Sequence, residues 1–341
     1  MTDTSSATAQ PCVLVTGGAG YIGSHASEAL ARAGYLPVAY DNLSRGFRRL
    51  VKFGPLEEGD IRDRARLVEV MTRLRPVAVM HFAALTYVGE SVEDPALYYD
   101  NNVRGALTLL DAMRDSGVDR LVFSSTAAVY GLPEVQPITE EAVHAPINPY
   151  GRTKLMIEQA LRDYSAAYGI RSASLRYFNA CGAHPTADIG ELHEPETHLI
   201  PRALMAVAGQ IEALDVMGWD YPTSDGTAIR DYIHVCDLAD AHVAAVKYLE
   251  AGGATASMNL GTGKGFSVKE IVDSVGRATG RPVPVRKAPR RAGDPPMLVA
   301  DPGRARQALG FDPKWTDMDA IIATAWRFAQ SQGGLAAATG T

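Results

Sequence analysis

The stretch Cys12-Val13-Leu14-Val15-Thr16-Gly17-Gly18-Ala19-Gly20-Tyr21-Ile22-Gly23 decides the fold of this chain. An apolar run of strand length enters a turn whose glycines satisfy two spacings, Gly18-x-Gly20-x-x-Gly23 and Gly17-x-x-Gly20-x-x-Gly23, and a helical pattern follows at once. A tight strand-to-helix turn needs residues without a Cβ. A pyrophosphate laid on it needs a bare backbone to approach and helix N-terminal amides to receive its charge. In a chain with 32 glycines such a string is weak evidence alone. It gains weight from Asp41, which ends the next apolar run 18 residues after Gly23, where an acid accepts hydrogen bonds from ribose hydroxyls. Asp41 repels a 2′-phosphate and so favours NAD, while Arg45, Arg48 and Arg49 just beyond it leave NADP open.

Outward from this turn, short apolar runs alternate with helical patterns. Residues 12–16, 36–40, 77–82, 121–124 and 171–175 read as strands; residues 22–33, 62–74, 95–116 and 150–168 read as helices. This rhythm predicts an α/β fold: a Rossmann-type, doubly wound parallel sheet with helices on both faces. After Asn179 the pattern dissolves into Gly-, Pro- and His-rich sequence. A smaller C-terminal α/β lobe for substrate is therefore expected over 182–227 and 256–330. The dinucleotide domain spans 11–181, with a returning segment near 228–255, where Val235, Leu238, Ala239, Val243, Val246 and Leu249 have helical spacing. Residues 1–10 and 333–341 read as loose tails.

Composition narrows the function classes. With 341 residues, 46% of them hydrophobic, the chain suits about two domains with substantial cores. Its 33 basic and 39 acidic residues give a net charge of −6 spread along the sequence, so no basic face for nucleic acid is expected. Cys12, Cys181 and Cys236 are widely separated in apolar or small-residue contexts and read as reduced, buried thiols. No signal peptide or membrane span is evident, so a cytoplasmic location is expected.

Tyr150 and Lys154 stand four residues apart near a helix start, on one face. With 14 tyrosines and 7 lysines, chance alone supplies about 0.3 such pairs, so the spacing needs context. That context is the run Leu121-Val122-Phe123-Ser124-Ser125-Thr126, which places a hydroxyl at the C-terminal end of the fifth strand, where open α/β sheets bind ligands. A phenol with a pKa of about 10 is a poor base at neutral pH; a nearby ammonium favours its ionised form. Thr126 then aligns the reacting hydroxyl.

Through Gly17-x-x-Gly20-x-x-Gly23, Thr126 and Tyr150-x-x-x-Lys154, the chain resembles the extended short-chain dehydrogenase/reductases. The likeness runs from Val13 to about Trp326. Its specific strings include Asp41-Asn42-Leu43, Gly59-Asp60-Ile61, His81-Phe82-Ala83, Tyr98-Tyr99-Asp100-Asn101-Asn102, Arg176-Tyr177-Phe178-Asn179 and Arg230-Asp231-Tyr232-Ile233-His234. The branch it resembles inverts C4 of UDP-hexoses. That resemblance implies an NAD-dependent isomerase that interconverts UDP-glucose and UDP-galactose through a 4-keto sugar, with Tyr150, Lys154 and Thr126 as its catalytic residues. It also implies an NAD site formed by Gly17, Gly20, Tyr21, Ile22, Gly23, Asp41, Asn42, Asp60, Ile61, Phe82, Ala83, Asn101, Tyr150, Lys154 and Phe178. Substrate contacts are implied for Thr126, Tyr150, Asn179, Leu199, Arg230, Arg291 and Asp294, and a homodimer through helices 95–116 and 150–168. Two arginines suit a diphosphate because each forks onto phosphate oxygens.

Some positions depart from the commonest pattern of that branch. Thr126 stands for a Ser, Thr86 for a Lys near the diphosphate and His198 for an Asn beside the phosphates. Leu298 occupies the place where bulky residues restrict the sugar pocket and small ones admit N-acetylated sugars, and Leu leaves that choice open. Dehydratases of the same fold carry Asp-Glu directly after the Thr, where this chain has Ala127-Ala128; without an acid there, expulsion of water has no donor. 4-Epimerases of UDP-pentoses or UDP-uronates differ only in pocket residues. A cofactor-sensing protein would commonly lose the Tyr or Lys, and both are present. His184, His193 and His198, interleaved with Glu191, Glu194 and Glu196, read as a solvated polar loop, and no metal is expected. His81 and His234, in apolar strand contexts, read as packing residues.

Overall fold

The computed structural model describes residues 10–332 apart from 292; most of the two expected tails lies outside the described residues. Thirteen strands are formed among them: β1 (Cys12–Thr16), β2 (Leu36–Asp41), β3 (Leu56–Glu58), β4 (Ala78–His81), β5 (Arg120–Thr126), β6 (Arg171–Tyr177), β7 (Asn179–Cys181), β8 (Leu214–Met217), β9 (Ile229–His234), β10 (Ala256–Leu260), β11 (Gly265–Ser267), β12 (Val285–Ala288) and β13 (Met297–Leu298). The α-helices are α1 (Tyr21–Arg32), α2 (Arg64–Leu74), α3 (Val88–Glu93), α4 (Pro95–Tyr98), α5 (Gly105–Ser116), α6 (Pro149–Tyr168), α7 (Leu199–Val207), α8 (Val235–Glu250), α9 (Val268–Thr279), α10 (Gly303–Leu309) and α11 (Met318–Ser331).

Seven strands make one parallel sheet in the order β3-β2-β1-β4-β5-β6-β10. Parallel pairing buries both faces, which is why these strands read as unbroken apolar runs and not as alternating ones. Side chains of α1 and α8 (Ala26, Leu30, Leu238, Val246) cover one face, and those of α2, α5 and α6 (Leu67, Leu109, Ile157) the other. Strand order reverses between β1 and β4. The loops leaving these two strands therefore part in opposite directions and open a crevice at their C-terminal ends.

The second lobe centres on β9, which pairs with β7, β11 and β13, while β8 and β12 form a separate parallel pair. Helices α7, α9 and α11 close its core around Ile200, Ile271, Val275 and Ile322. Within the returning segment expected near 228–255, β9 lies in this smaller sheet and α8 packs on α1. The next strand, β10, lies beyond the expected return and pairs with β6 at the edge of the large sheet. Its apolar Met258 and Leu260 join the large core, and five residues are too few to display a period that assigns them to either lobe.

Residues 95–116, expected as one helix, form α4, a π-helical turn over Tyr99–Arg104, and α5. The wide turn coincides with Asn102, whose buried amide accepts from Leu85 N at 2.8 Å and donates to Leu85 O at 3.0 Å. Such turns mark places where a helix gives up its regular ladder to direct a side chain. Here that pins the β4–α3 loop, one wall of the crevice.

Candidate active site

A cleft of about 650 Å³ runs from the Gly17 turn, past the end of β5, to the second lobe. At the turn the glycines are required by space. Gly17 has φ +76°, and a Cβ there would lie 2.6 Å from Ala83 N; on Gly23 it would lie 2.2 Å from Gly17 O. Strand end, turn and first helical residue are thus in backbone contact, so the cradle accepts only glycine and leaves its amides bare. Asp41 closes this end, its carboxylate accepting from Ala19 N at 3.0 Å and Leu43 N at 2.8 Å. Burial raises its pKa, and the two amides work against that rise. The nearby arginines are engaged elsewhere: Arg45 pairs with Glu90 at 2.6 Å, Arg48 with Glu58, and Arg49 lies over the Phe47 ring.

The reacting end is set by the start of α6. Asn148 caps it, accepting from Gly151 N at 2.8 Å, and Pro149 takes the first turn, where its missing N–H costs nothing. A Cβ on Gly151 would come within 2.6 Å of Ala128 O, so the helix start presses directly onto the turn after β5. This brings Tyr150 to Thr126. The Thr126 oxygen accepts from Ala128 N at 3.1 Å, which leaves its own hydrogen for the Tyr150 oxygen. Burial pushes Tyr150 up to about 12, and the hydrogen bond from Thr126 opposes that rise. One turn on, Lys154 donates to Ser124 O at 2.8 Å, with its ammonium 5.9 Å from the Tyr150 ring centre. Burial pulls this ammonium down to about 7, with Glu158 acting in the opposite sense.

Beneath Lys154 on the same helix face, Glu158 meets Arg176 of β6 at 2.9 and 2.5 Å, both side chains almost fully buried. Arg176 donates to Tyr130 at 2.8 Å, Tyr130 to Asn259 at 2.6 Å, and Ser125 to Glu158 at 2.6 Å. The pair locks α6 to β5, β6 and β10 and so positions Tyr150 and Lys154.

At the far end, Arg230 donates to Asp294 at 2.5 Å and to Ile229 O at 2.7 Å, while exposed Arg291 lines the same opening. Asn179 donates to Asp231 O at 3.1 Å. Phe178 and Leu298 pack together against Ala127 and Tyr130, forming the wall between the two ends. Every site residue expected from the sequence faces this cleft except Asp60 and Lys154. Asp60 does not line the cleft but is bonded beside it to Arg62 at 2.9 and 2.7 Å and to Asn42, which does, at 3.0 Å; hydrogen bonding to Arg62 holds its pKa well below the usual carboxylate range. The sequence reading missed Tyr177, whose hydroxyl bonds Ser124, and Tyr87; both line the cleft. Tyr177 sat inside a quoted string, yet nothing in a strand pattern tells which alternate side chain meets the opening.

The loop expected to be solvated is so only in part: Glu194 and Thr197 are exposed and the His198 side chain is 43% exposed. Glu191 and Glu196 have side chains only 10% exposed and gather with His193 and His198, whereas His184 sits apart beside Glu28. His81 and His234 are buried, as their apolar contexts predicted; His81 bonds Thr16 at 2.7 Å and His234 stacks on Trp315.

A Rossmann sheet with a glycine turn, a Tyr-Lys-Thr centre and a two-arginine opening defines a dinucleotide-dependent enzyme of the short-chain type. Residues 13–261 match the model of the NAD dependent epimerase/dehydratase family, and the chain belongs to it. A UDP-glucose 4-epimerase of Rhizobium meliloti is 56% identical over 324 residues, 94% of this chain and 98% of the relative. The solved UDP-glucose 4-epimerase of Brucella ovis, in complex with NAD, superposes with a TM-score of 0.91 at 58% identity, covering 93% of this chain and 98% of that one. The Bifidobacterium longum UDP-glucose 4-epimerase, in complex with NAD+ and UDP, gives 0.89 at 38% identity, covering 94% and 99%.

Proposed function

We propose that this chain is an isomerase that interconverts UDP-galactose and UDP-glucose through a 4-keto sugar, with NAD held along the Gly17–Gly23 turn. The observation that carries the reading is the Thr126–Tyr150–Lys154 centre placed between a glycine cradle and an arginine-lined opening, with Ala127 and Ala128 where a dehydrating acid would stand.

The bare turn would take the pyrophosphate, Asp41 the adenosine ribose, and Phe82, Ala83, Asn101 and Phe178 the remaining length of the cofactor. Asp60 and Lys154 act from outside the lining, Asp60 by orienting Asn42 and Lys154 by its charge. When bound, NAD supplies an acceptor, and later a donor, for the hydride at C4.

The chain's own part is the proton at O4. Tyr150 takes it while Thr126 holds the oxygens in line, and Tyr150 returns it after the sugar has presented its other face. Burial, only partly opposed by the Thr126 hydrogen bond, leaves the phenol at about 12, so ionisation calls for positive charge beside it, which Lys154 supplies across the shared face of α6. Arg230, fixed by Asp294, and Arg291 hold the diphosphate, with Asn179 and Leu199 beside them. Such an anchor lets the sugar turn without release.

Supporting a homodimer are the half-exposed apolar side chains Leu97, Leu107 and Met156 on α4, α5 and α6; among the described residues no helix is long and apolar enough to cross a membrane. Sedimentation of the purified protein checks the dimer. The reaction is tested by supplying UDP-galactose without reductant or added cofactor and following the sugar by NMR. UDP-glucose is expected; a 4-keto-6-deoxy product, or no turnover of any UDP-hexose, overturns the reading.

A further inference from the structure

Between β7 and α7 the chain places Glu191, His193, Glu196 and His198 so that one donor atom from each lies within 4.8 Å of all the others. His193 Nδ1 is 3.3 Å from Glu191 Oε1 and 3.4 Å from Glu196 Oε2. His198 Nδ1 is 3.1 Å from Glu191 Oε1 and 2.8 Å from Glu196 Oε1. A tetrahedral zinc ion with bonds of about 2.0–2.2 Å spaces its ligand atoms roughly 3.3–3.6 Å apart; the two His193 separations match, whereas His198 lies closer, at 3.1 Å from Glu191 and in a 2.8 Å hydrogen bond with Glu196 Oε1, so the ion would replace that bond and draw His198 outward.

The orientation of His193 argues in the same direction. Its Nδ1 is buried and makes no hydrogen bond, although two carboxylate oxygens lie within 3.4 Å. That nitrogen is therefore held against two carboxylates without a well-formed bond to either, which leaves it available as a ligand. Glu196 is oriented by its backbone, Oε1 accepting from Thr197 N and His198 N, both at 2.7 Å, which leaves Oε2 toward His193. Supporting bonds of this kind hold a ligand in place before the metal arrives.

We propose that Glu191, His193, Glu196 and His198 form a binding site for a single Zn2+ ion. Two imidazoles and two carboxylates are donors that zinc accepts and that magnesium or calcium, preferring all-oxygen shells, does not. All four positions come from protein, so the ion's role is structural. It closes residues 191–198 into one loop over the cleft, next to Leu199. Tyr21 packs on His193 at 6.5 Å, and Tyr87 on His193 and His198 at 6.0 and 6.3 Å, so the clamp ties this loop to the first lobe.

The test is metal content. The full chain, purified without a polyhistidine tag and dialysed against metal-free buffer, is analysed by inductively coupled plasma mass spectrometry. It should retain about one zinc per chain, or take up one equivalent of added Zn2+ in a calorimetric titration. His193→Ala should weaken that uptake by at least about tenfold, and His184→Ala, outside the group, should not. Should His193→Ala fail to fold, Co2+ replacement in the unaltered chain serves instead: visible bands of a tetrahedral site support the proposal. A chain that neither carries nor takes up zinc, or a six-coordinate cobalt spectrum, overturns it. In that case the four side chains are a metal-free network of two imidazolium and two carboxylate groups.

Discussion

The two ends of the cleft are built on opposite plans. Thr126, Tyr150 and Lys154 stand on a strand end and a capped 20-residue helix, with Lys154 1% exposed and locked from beneath by the Glu158–Arg176 pair. Arg230, Arg291 and Asp294 stand on a strand margin and a loop, where Arg291 is exposed and Arg230 is already ion-paired. A proton moves only across a hydrogen bond of fixed length, so the reacting end spends structure on precision. A diphosphate needs only charge within reach, and an end that holds it loosely leaves the sugar free to turn.

The contrast breaks most sharply at Tyr150. Tyr150→Phe should cut turnover about 10³- to 10⁴-fold with unchanged cofactor content; a variant retaining a tenth of the rate would move the base elsewhere. Next comes the lock. Glu158→Gln leaves Arg176 as an uncompensated buried cation and should cost about 3–5 kcal/mol of stability, read by urea unfolding; a loss within 1 kcal/mol would show that α6 is held by packing alone.

At the loose end, Arg230→Ala should raise KM roughly 10- to 100-fold while kcat changes by less than about threefold. Equal losses in both would mean that this end is tuned to the transition state too.

The smallest effect is the pH response of the rigid end. Burial lowers His81 to about 3 and His242 to about 4, from the 6.5 of the unfolded chain. Below pH 6.5 the unfolded chain takes up protons that these folded rings refuse, so stability is lost as pH falls from 6.5 toward their folded values. Each contributes up to about 1.4 kcal/mol per pH unit. His242→Leu should flatten the dependence of unfolding free energy between pH 6.5 and 4.5 by about that amount, and an unchanged slope would refute the assignment.

Much of this was legible in the residues. Gly17, Gly20, Gly23 and Asp41 are local chemistry, since a turn without Cβ and an acid at the next strand end depend on neighbours a few positions away. Tyr150 and Lys154 share a face because a helix brings i and i+4 together. Illegible were Glu158, Arg176, Tyr130 and Asn259: their partners lie 18 to 129 residues apart, and each alone reads as an ordinary polar residue. The convergence of Glu191, His193, Glu196 and His198 was illegible for the same reason, because a polar string does not show which of its members turn toward one another.

The amino-acid order sufficed for the parallel sheet, the dinucleotide turn and the reacting pair, all written in periods and spacings of under about twenty residues. Folding alone decided that Asp60 and Lys154 stand outside the cleft lining, that β10 closes the large sheet, and that two histidines and two glutamates converge. Those outcomes depend on which distant surfaces exclude water together, a property that no run of neighbouring residues carries.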